Sequence, residues 1–160
     1  MPHTSEAKKH FFMHKALLQA KKALKQGEVP VGVVIVNQQG IIIAQSYNRI
    51  EHNKCQTAHA EIRAIQKACK KLSTWRLNGC WIYVTLEPCL MCLGLISLSR
   101  FKGIIFGAPS TLFGSGLADS KNLPHYTKEL IIEGGIKAKE STDLLQEFFK
   151  KVRRKGKGTQ

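Results

Sequence analysis

Three residues with metal-binding side chains, His59, Cys89 and Cys92, stand in two clusters about thirty positions apart, and any fold of this chain has to bring those clusters together. The clusters read His59-Ala60-Glu61 and Pro88-Cys89-Leu90-Met91-Cys92. A structural zinc site takes four protein ligands and is closed, whereas a hydrolytic one takes three and leaves its fourth position to water. Glu61 lies two residues from the histidine, close enough to act on such a water without being a ligand. A lone C-x-x-C would fit a structural zinc knuckle, and a lone His-Ala-Glu would carry no information. Together and in this order they point to one Zn²⁺ ion per chain, held by His59, Cys89 and Cys92, with Glu61 as the proton-transferring carboxylate.

The pattern around the clusters predicts how they meet. Apolar and small residues recur at helical spacing from Ser5 to Gln26 and stop at Gly27. Val31 to Val36 and Ile41 to Tyr47 read as a hairpin about the turn Asn37-Gln38-Gln39-Gly40. A helical pattern runs from His59 to Leu72 and places His59 and Glu61 in its first turn. Trp81 to Leu86 is a strand, and Pro88 then opens a helix at a favoured early position, with Cys89 and Cys92 on one face of the first turn. Gly103 to Phe106 is the next strand, Leu130 to Ile132 a short fifth one, and Ser141 to Arg154 a closing helix. This order implies a parallel pair across the second helix, and so a three-layer α/β/α domain with a mixed five-stranded sheet. In such sheets ligands bind at the carboxyl ends of the strands, where both clusters fall. The Gly-, Ser- and Pro-rich stretch from Gly107 to Pro124 reads as a long loop that carries substrate contacts.

Composition narrows the partners. A chain of 160 residues, 43% of them apolar, fills one core, so residues 1–154 are expected to form a single domain and 155–160 a disordered basic tail. The apolar stretch from Cys89 to Leu98 is far short of the ~20 residues a membrane span needs. Phe11-Phe12-Met13 is too short for a signal-peptide core, which predicts a cytoplasmic protein. Five cysteines are an odd number that fits reduced thiols. Cys69 and Cys80 read as small core residues, and Cys55, near His52, has no further ligand at a suitable spacing. The net charge of +14 favours a polyanionic partner, nucleic acid first. The charge concentrates at Lys8 to Lys25 and again at Lys150 to Lys157, beside Phe148 and Phe149. Solvated helix faces are the competing reading of those runs.

The H-x-E…P-C-x-x-C pattern is a signature of zinc-dependent nucleobase deaminases. Ala58-His59-Ala60-Glu61-Ile62 and Tyr83 to Cys92, with Gly94 and Ser99-Arg100, resemble the bacterial tRNA-specific adenosine deaminase family. Glu28 to Gly32, Tyr47-Asn48-Arg49, Ile105 to Ala108, Phe148-Phe149 and Arg153-Arg154 match its other segments in order. The resemblance implies a cytidine deaminase-like fold, a homodimer, and conversion of adenosine to inosine at the wobble position of a tRNA anticodon stem-loop, arginine tRNA in particular. It further implies that Asn48 hydrogen-bonds the flipped base, a role that competes with that of a turn-forming asparagine. By the same resemblance the Leu86 and Glu87 backbone contacts base and amine, and Phe149 and Arg153 meet the anticodon loop, with Phe149 as a core residue the competing reading. The chain departs from the family at Pro109 to Gly114, where a segment like Arg-Asp-x-Lys is usual and the charged residues that contact flanking nucleotides are absent. Two other activities share parts of the pattern: deamination of a free base or nucleotide of guanine or cytosine type, which has no need of the positive charge, and a non-catalytic zinc-containing RNA-binding module, against which Glu61 argues.

Overall fold

The structure, a computed structural model, describes residues 5–111, 114 and 129–156. Helix α1, Glu6–Lys25, buries Phe12, Met13, Ala16, Leu17, Ala20 and Ala23 at spacings of one, three and four, which is one helical face. It stops where the sequence supplies Gly27, whose φ of +74° is open to glycine at little cost. The Gly27 N–H donates to Leu24 O at 3.2 Å and the Glu28 N–H to Ala23 O at 3.0 Å, a Schellman closure.

Strands β1, Gly32–Val36, and β2, Ile42–Tyr47, form the predicted hairpin. Its turn is held by Asn37 Oδ1, which accepts from the N–H groups of Gln39 at 3.0 Å and Ile41 at 2.9 Å. A four-residue helix α2, Ile50–Asn53, precedes α3, Ala60–Leu72. Then follow β3, Trp81–Leu86; α4, Leu90–Leu98; β4, Gly103–Ala108; β5, Ile131–Glu133; and α5, Ala138–Gly156. The sheet order is β2-β1-β3-β4-β5, antiparallel from β2 to β3 and parallel from β3 to β5, which gives the expected mixed five-stranded sheet.

β1 is buried along its whole length because helices cover both faces, which is why its sequence is an unbroken apolar run and does not alternate. On one face Val33, Ile35, Ile82, Val84 and Ile104 pack against α3 and α4. On the other Val34, Val36, Tyr83 and Ile105 meet Phe12, Met13 and Ala16 of α1. Gly32 lets α1 come this close: a Cβ there would strike Ala16 O and Ala20 N. Cys69 and Cys80 take part in the first core cluster, as small apolar residues do.

Several boundaries differ from the sequence expectation. β4 runs on past Phe106 to Ala108, because Ala108 pairs with Leu86 and accepts the Glu87 N–H at 2.8 Å. α5 begins at Ala138, three residues before Ser141, whose hydroxyl bonds back to Lys137 O within the helix and does not cap it. The tail expected from Lys155 is still helical at Lys155 and Gly156, where basic residues suit the negative end of the helix dipole. Residues 157–160, and most of the loop expected over Gly107 to Pro124, lie outside the described residues. Among the described residues no helix is long and apolar enough to cross a membrane.

Candidate active site

The two clusters meet at the carboxyl end of β3, where α3 and α4 both begin. His59 has φ −63° and ψ 147° and Cys89 has φ −70° and ψ 168°, so both are extended N-cap residues and not members of a first helical turn. Each carbonyl already accepts the first helical hydrogen bond, from Arg63 N–H at 3.1 Å and from Leu93 N–H at 2.9 Å. Neither side chain caps its own helix. Extended backbone at these points aims the imidazole and the thiol away from their helices and toward each other. Pro88 accordingly stands outside α4, one residue before the cap, and not at an early position within the helix as expected. An isolated bridge between Cys89 and Gly114 keeps that stretch extended. Gly114 is required there, since a Cβ would meet Ser110 O and lie 2.9 Å from the Glu87 carboxylate.

His59 Nδ1 lies 3.6 Å from Cys92 Sγ and 3.9 Å from Cys89 Sγ, and the three donor atoms all fall within 4.8 Å of one another. These residues are able to hold a metal ion. Cys92 is fully buried and Cys89 half-buried. Their thiols are coupled: a hydrogen bond from Cys92, helped by His59, draws the Cys89 thiol down to about 4 against the opposing effect of burial. The same bond, with burial, pushes Cys92 up. The Cys89 contact raises the His59 imidazole. Glu61, 4% exposed, sits in the first turn of α3 beside the thiols, and burial raises its carboxyl pKa.

Above these groups opens a cleft of about 660 Å³ whose lining includes His59, Glu61, Cys89, Asn48, Leu86 and Glu87. Asn48 is 5% exposed, and its Oδ1 accepts the Ala60 N–H at 3.1 Å. Its oxygen is thereby committed to the start of α3, and its NH₂ remains for a partner in the cleft. The Glu87 N–H is taken by Ala108 O, and one carboxylate oxygen accepts the Ser110 N–H at 3.0 Å. Glu87 thus pins the end of β4 to the metal-ligand turn, a role that its place in the sequence did not announce.

A family model described as MafB19-like deaminase matches residues 7–153. The tRNA-specific adenosine deaminase of Aquifex aeolicus is 43% identical over 150 residues, 91% of this chain and 96% of that protein. That of Bacillus subtilis is 40% identical over 148 residues, 91% of each chain. The chain belongs to the tRNA-specific adenosine deaminase family. A solved structure from biochemical and structural studies of A-to-I editing by tRNA:A34 deaminases at the wobble position of transfer RNA is similar at a TM-score of 0.78 and 37% identity, covering 84% of this chain and 99% of that one.

In this member of the tRNA-specific adenosine deaminases, the structure gathers six of the sequence-predicted site residues, His59, Glu61, Cys89, Asn48, Leu86 and Glu87, around one cleft, with Cys92 directly behind. Phe149 and Arg153 are not brought to it: both are exposed on α5, which packs against α1, β3 and β4. Phe149 is 47% exposed and makes an edge contact with half-buried Phe148, so it is not a core residue. Sequence reasoning passed over Val29, Ile50 and Gln56 in the cleft lining, and the buried Glu28 beneath them. The Glu28 carboxylate accepts the N–H groups of His52 at 2.8 Å and Glu51 at 3.2 Å, which secures α2 and with it Ile50. A helix of four residues shows no periodicity, and its anchor lies more than twenty residues away in the sequence, so only the glutamate's place between Gly27 and the β1 strand hinted at it.

Proposed function

We propose that this protein deaminates adenosine hydrolytically at position 34, the wobble position, of tRNA, forming inosine and ammonia. The observation that carries the reading is the buried Glu61 carboxylate beside three converging metal donors at the floor of a cleft large enough for a base. The names and similarity of the relatives support adenosine in tRNA as the substrate.

His59, Cys89 and Cys92 fit Zn²⁺. A tetrahedral zinc with ordinary bond lengths separates its nitrogen and sulfur ligands by about 3.5 Å, close to the distances from His59 Nδ1 to the two thiols. Two thiolates and a neutral imidazole form a donor set typical of that ion. Zinc held there supplies the positive charge that lets water attack at neutral pH. Glu61 performs the proton transfers: its carboxylate takes one proton from the attacking water and passes it to the adenine N1, then takes the second from the new C6 hydroxyl and gives it to the departing amine, which leaves as ammonia with a carbonyl at C6. Burial suits it to this work, since a raised pKa brings the carboxyl nearer to the operating pH. The Asn48 NH₂ donates to a ring nitrogen of the base, and the Leu86 and Glu87 carbonyls accept from the amine. The Glu87 N–H, spent on Ala108, takes no part.

Phe149 and Arg153 on the exposed face of α5 contact the anticodon arm, and arginine tRNA is the substrate proposed. The protein works in the cytoplasm as a homodimer. Leu90, Met91 and Leu98, at 65%, 41% and 67% exposure on α4, support a subunit interface there, whereas Leu93 and Ile96 of the same helix are buried in the chain's own core.

The test is release of ammonia and formation of inosine from an anticodon stem-loop with adenosine at the wobble position, set against free adenosine, cytidine and guanine, with Glu61→Ala as the blank. Conversion of the stem-loop alone is the expected result. Turnover of a free base alone would replace this reading with a small-molecule deaminase.

A further inference from the structure

β2 is an edge strand, and its free side is lined with cations. Lys67 Nζ donates to Gln45 O at 2.9 Å, and Arg63 Nη1 donates to Tyr47 O. The Arg63 guanidinium also lies 5.4 Å from the centre of the Tyr47 ring. The Tyr47 hydroxyl accepts from Gln26, just past the end of α1 on the other side of the sheet, and Lys22 of that helix lies near enough for its charge to act on Lys67. Arg49 completes the row, with its Nε buried and without a hydrogen-bond partner among the described residues. Its chain neighbours Asn48 and Ile50 both line the cleft, so the row of cations begins at the rim of the active site.

None of these four residues forms an ion pair among the described residues. The nearby acid, Glu28, spends both oxygens on backbone N–H groups. The cations press on one another: burial first, and then Arg49, lowers the Arg63 pKa, while burial first, and then Arg63 with Lys22 and Arg49, lowers that of Lys67. Covering an edge strand against unwanted pairing takes a lysine or two. Four unneutralised cations weaken the fold by self-repulsion, and that repulsion is relieved when an anion lies across them. Arg63 and Lys67, pinned to backbone carbonyls, are held in place for this, and a guanidinium matches the geometry of a phosphate.

We propose that the β2 edge, through Lys22, Lys67, Arg63 and Arg49, is a track on which the phosphodiester backbone of the substrate tRNA lies as its anticodon enters the cleft. This rests on the tRNA reading above and adds a docking surface on the side of the molecule away from β5, built from residues that take no part in the chemistry.

The test is the salt dependence of binding of an anticodon stem-loop RNA to the zinc-loaded protein, comparing wild type with Arg63→Gln/Lys67→Gln and, as a control for total charge, Lys8→Gln/Lys139→Gln. Each lost phosphate contact removes about 0.9 from the slope of log K against log salt, so the first variant should lose about 2 and the control almost nothing. Affinity of the first variant at low salt should fall tenfold or more, with turnover at saturating RNA within about twofold of wild type. The single variant Lys67→Gln alters an exposed side chain, leaves folding intact and should lose about 1 from the slope. Slopes equal to wild type in both variants, with the wild type still binding and deaminating the stem-loop, would overturn the track and leave the tRNA reading standing. Failure of the wild type to bind the stem-loop at all would overturn both.

Discussion

Asn48 Oδ1 lies 3.1 Å from the Ala60 backbone nitrogen, so one side chain both fastens the start of α3, which carries His59 and Glu61, and lines the cleft above them. The two duties use different atoms and are therefore separable by mutation. In Asn48→Asp an oxygen remains for the Ala60 N–H, but the NH₂ donor becomes a second acceptor. Deamination should fall by 100-fold or more, and at a pH where the new buried carboxyl is protonated stability should stay within about 0.5 kcal/mol of wild type. Asn48→Ala should lose activity and also about 1 kcal/mol of stability. Thermal unfolding beside single-turnover inosine formation reads both effects. Equal unfolding of the two variants would show that the cap contributes nothing.

Glu61 is a buried carboxylate beside the candidate metal donors, and the proposed reaction uses it for proton transfer. Glu61→Gln should lower turnover by about 10²–10⁴-fold, the usual yield of a positioned proton-transfer group. Metal content should be unchanged. The metal-free variant should unfold no lower than metal-free wild type, because the amide has no charge to desolvate. A clear fall in its melting temperature would assign Glu61 a structural part.

Chelation should abolish activity, lower the melting temperature and be reversed by added zinc, since a ligand that binds only the folded state stabilises it. Thiol titration gives an independent reading. Cys55 is exposed and its pKa is lowered by hydrogen bonding to Thr57, so it should react with or without metal. Cys89, half-buried and drawn down to about 4, should join it only after chelation. Rapid reaction of Cys89 in the metal-loaded protein would contradict its role as a ligand.

Tyr83, fully buried in the middle strand against Phe12, has its phenol pKa raised by desolvation. The folded state therefore holds a proton that the unfolded state releases near pH 10. Tyr83 should leave stability unaffected below about pH 10 and reduce it as pH rises further. Denaturant titrations at pH 8 and pH 11 should show a smaller alkaline loss in Tyr83→Phe. Parallel losses in the two proteins would show that the phenol ionises as freely in the fold as outside it.

What the sequence disclosed followed from how local each signal was. The convergence of the candidate donors His59, Cys89 and Cys92 with Glu61 was legible because chemistry fixes the spacing of such clusters, and β1, β3 and α3 were legible because their apolar patterns are continuous. The N-cap placement of His59 and Cys89 was not legible, since a one-residue shift of a helix start leaves the apolar pattern unchanged while turning a side chain from the helix face to its end. The start of α5 was placed three residues late, at Ser141 and not Ala138, because its apolar pattern begins only at Leu144. The real start of α5 follows Lys137, in the left-handed region at φ +54°, which no side-chain pattern betrays. Glu28, Glu87 and the β2-edge cations act across distances in the sequence that periodicity does not span.

The placement of Cys89 and Cys92 between β3 and β4 has a consequence for synthesis. The whole donor set is in the growing chain once Cys92 is made, while residues 93–160 are still to come. β1, β2 and β3 are all synthesised by then, but the residues that bridge Gly114 to Cys89 and tie Ser110 to Glu87 are not. The candidate metal donors are thus complete in the growing chain before the residues that hold the Cys89 turn in place, so the turn takes its final form only after the donors it carries already exist.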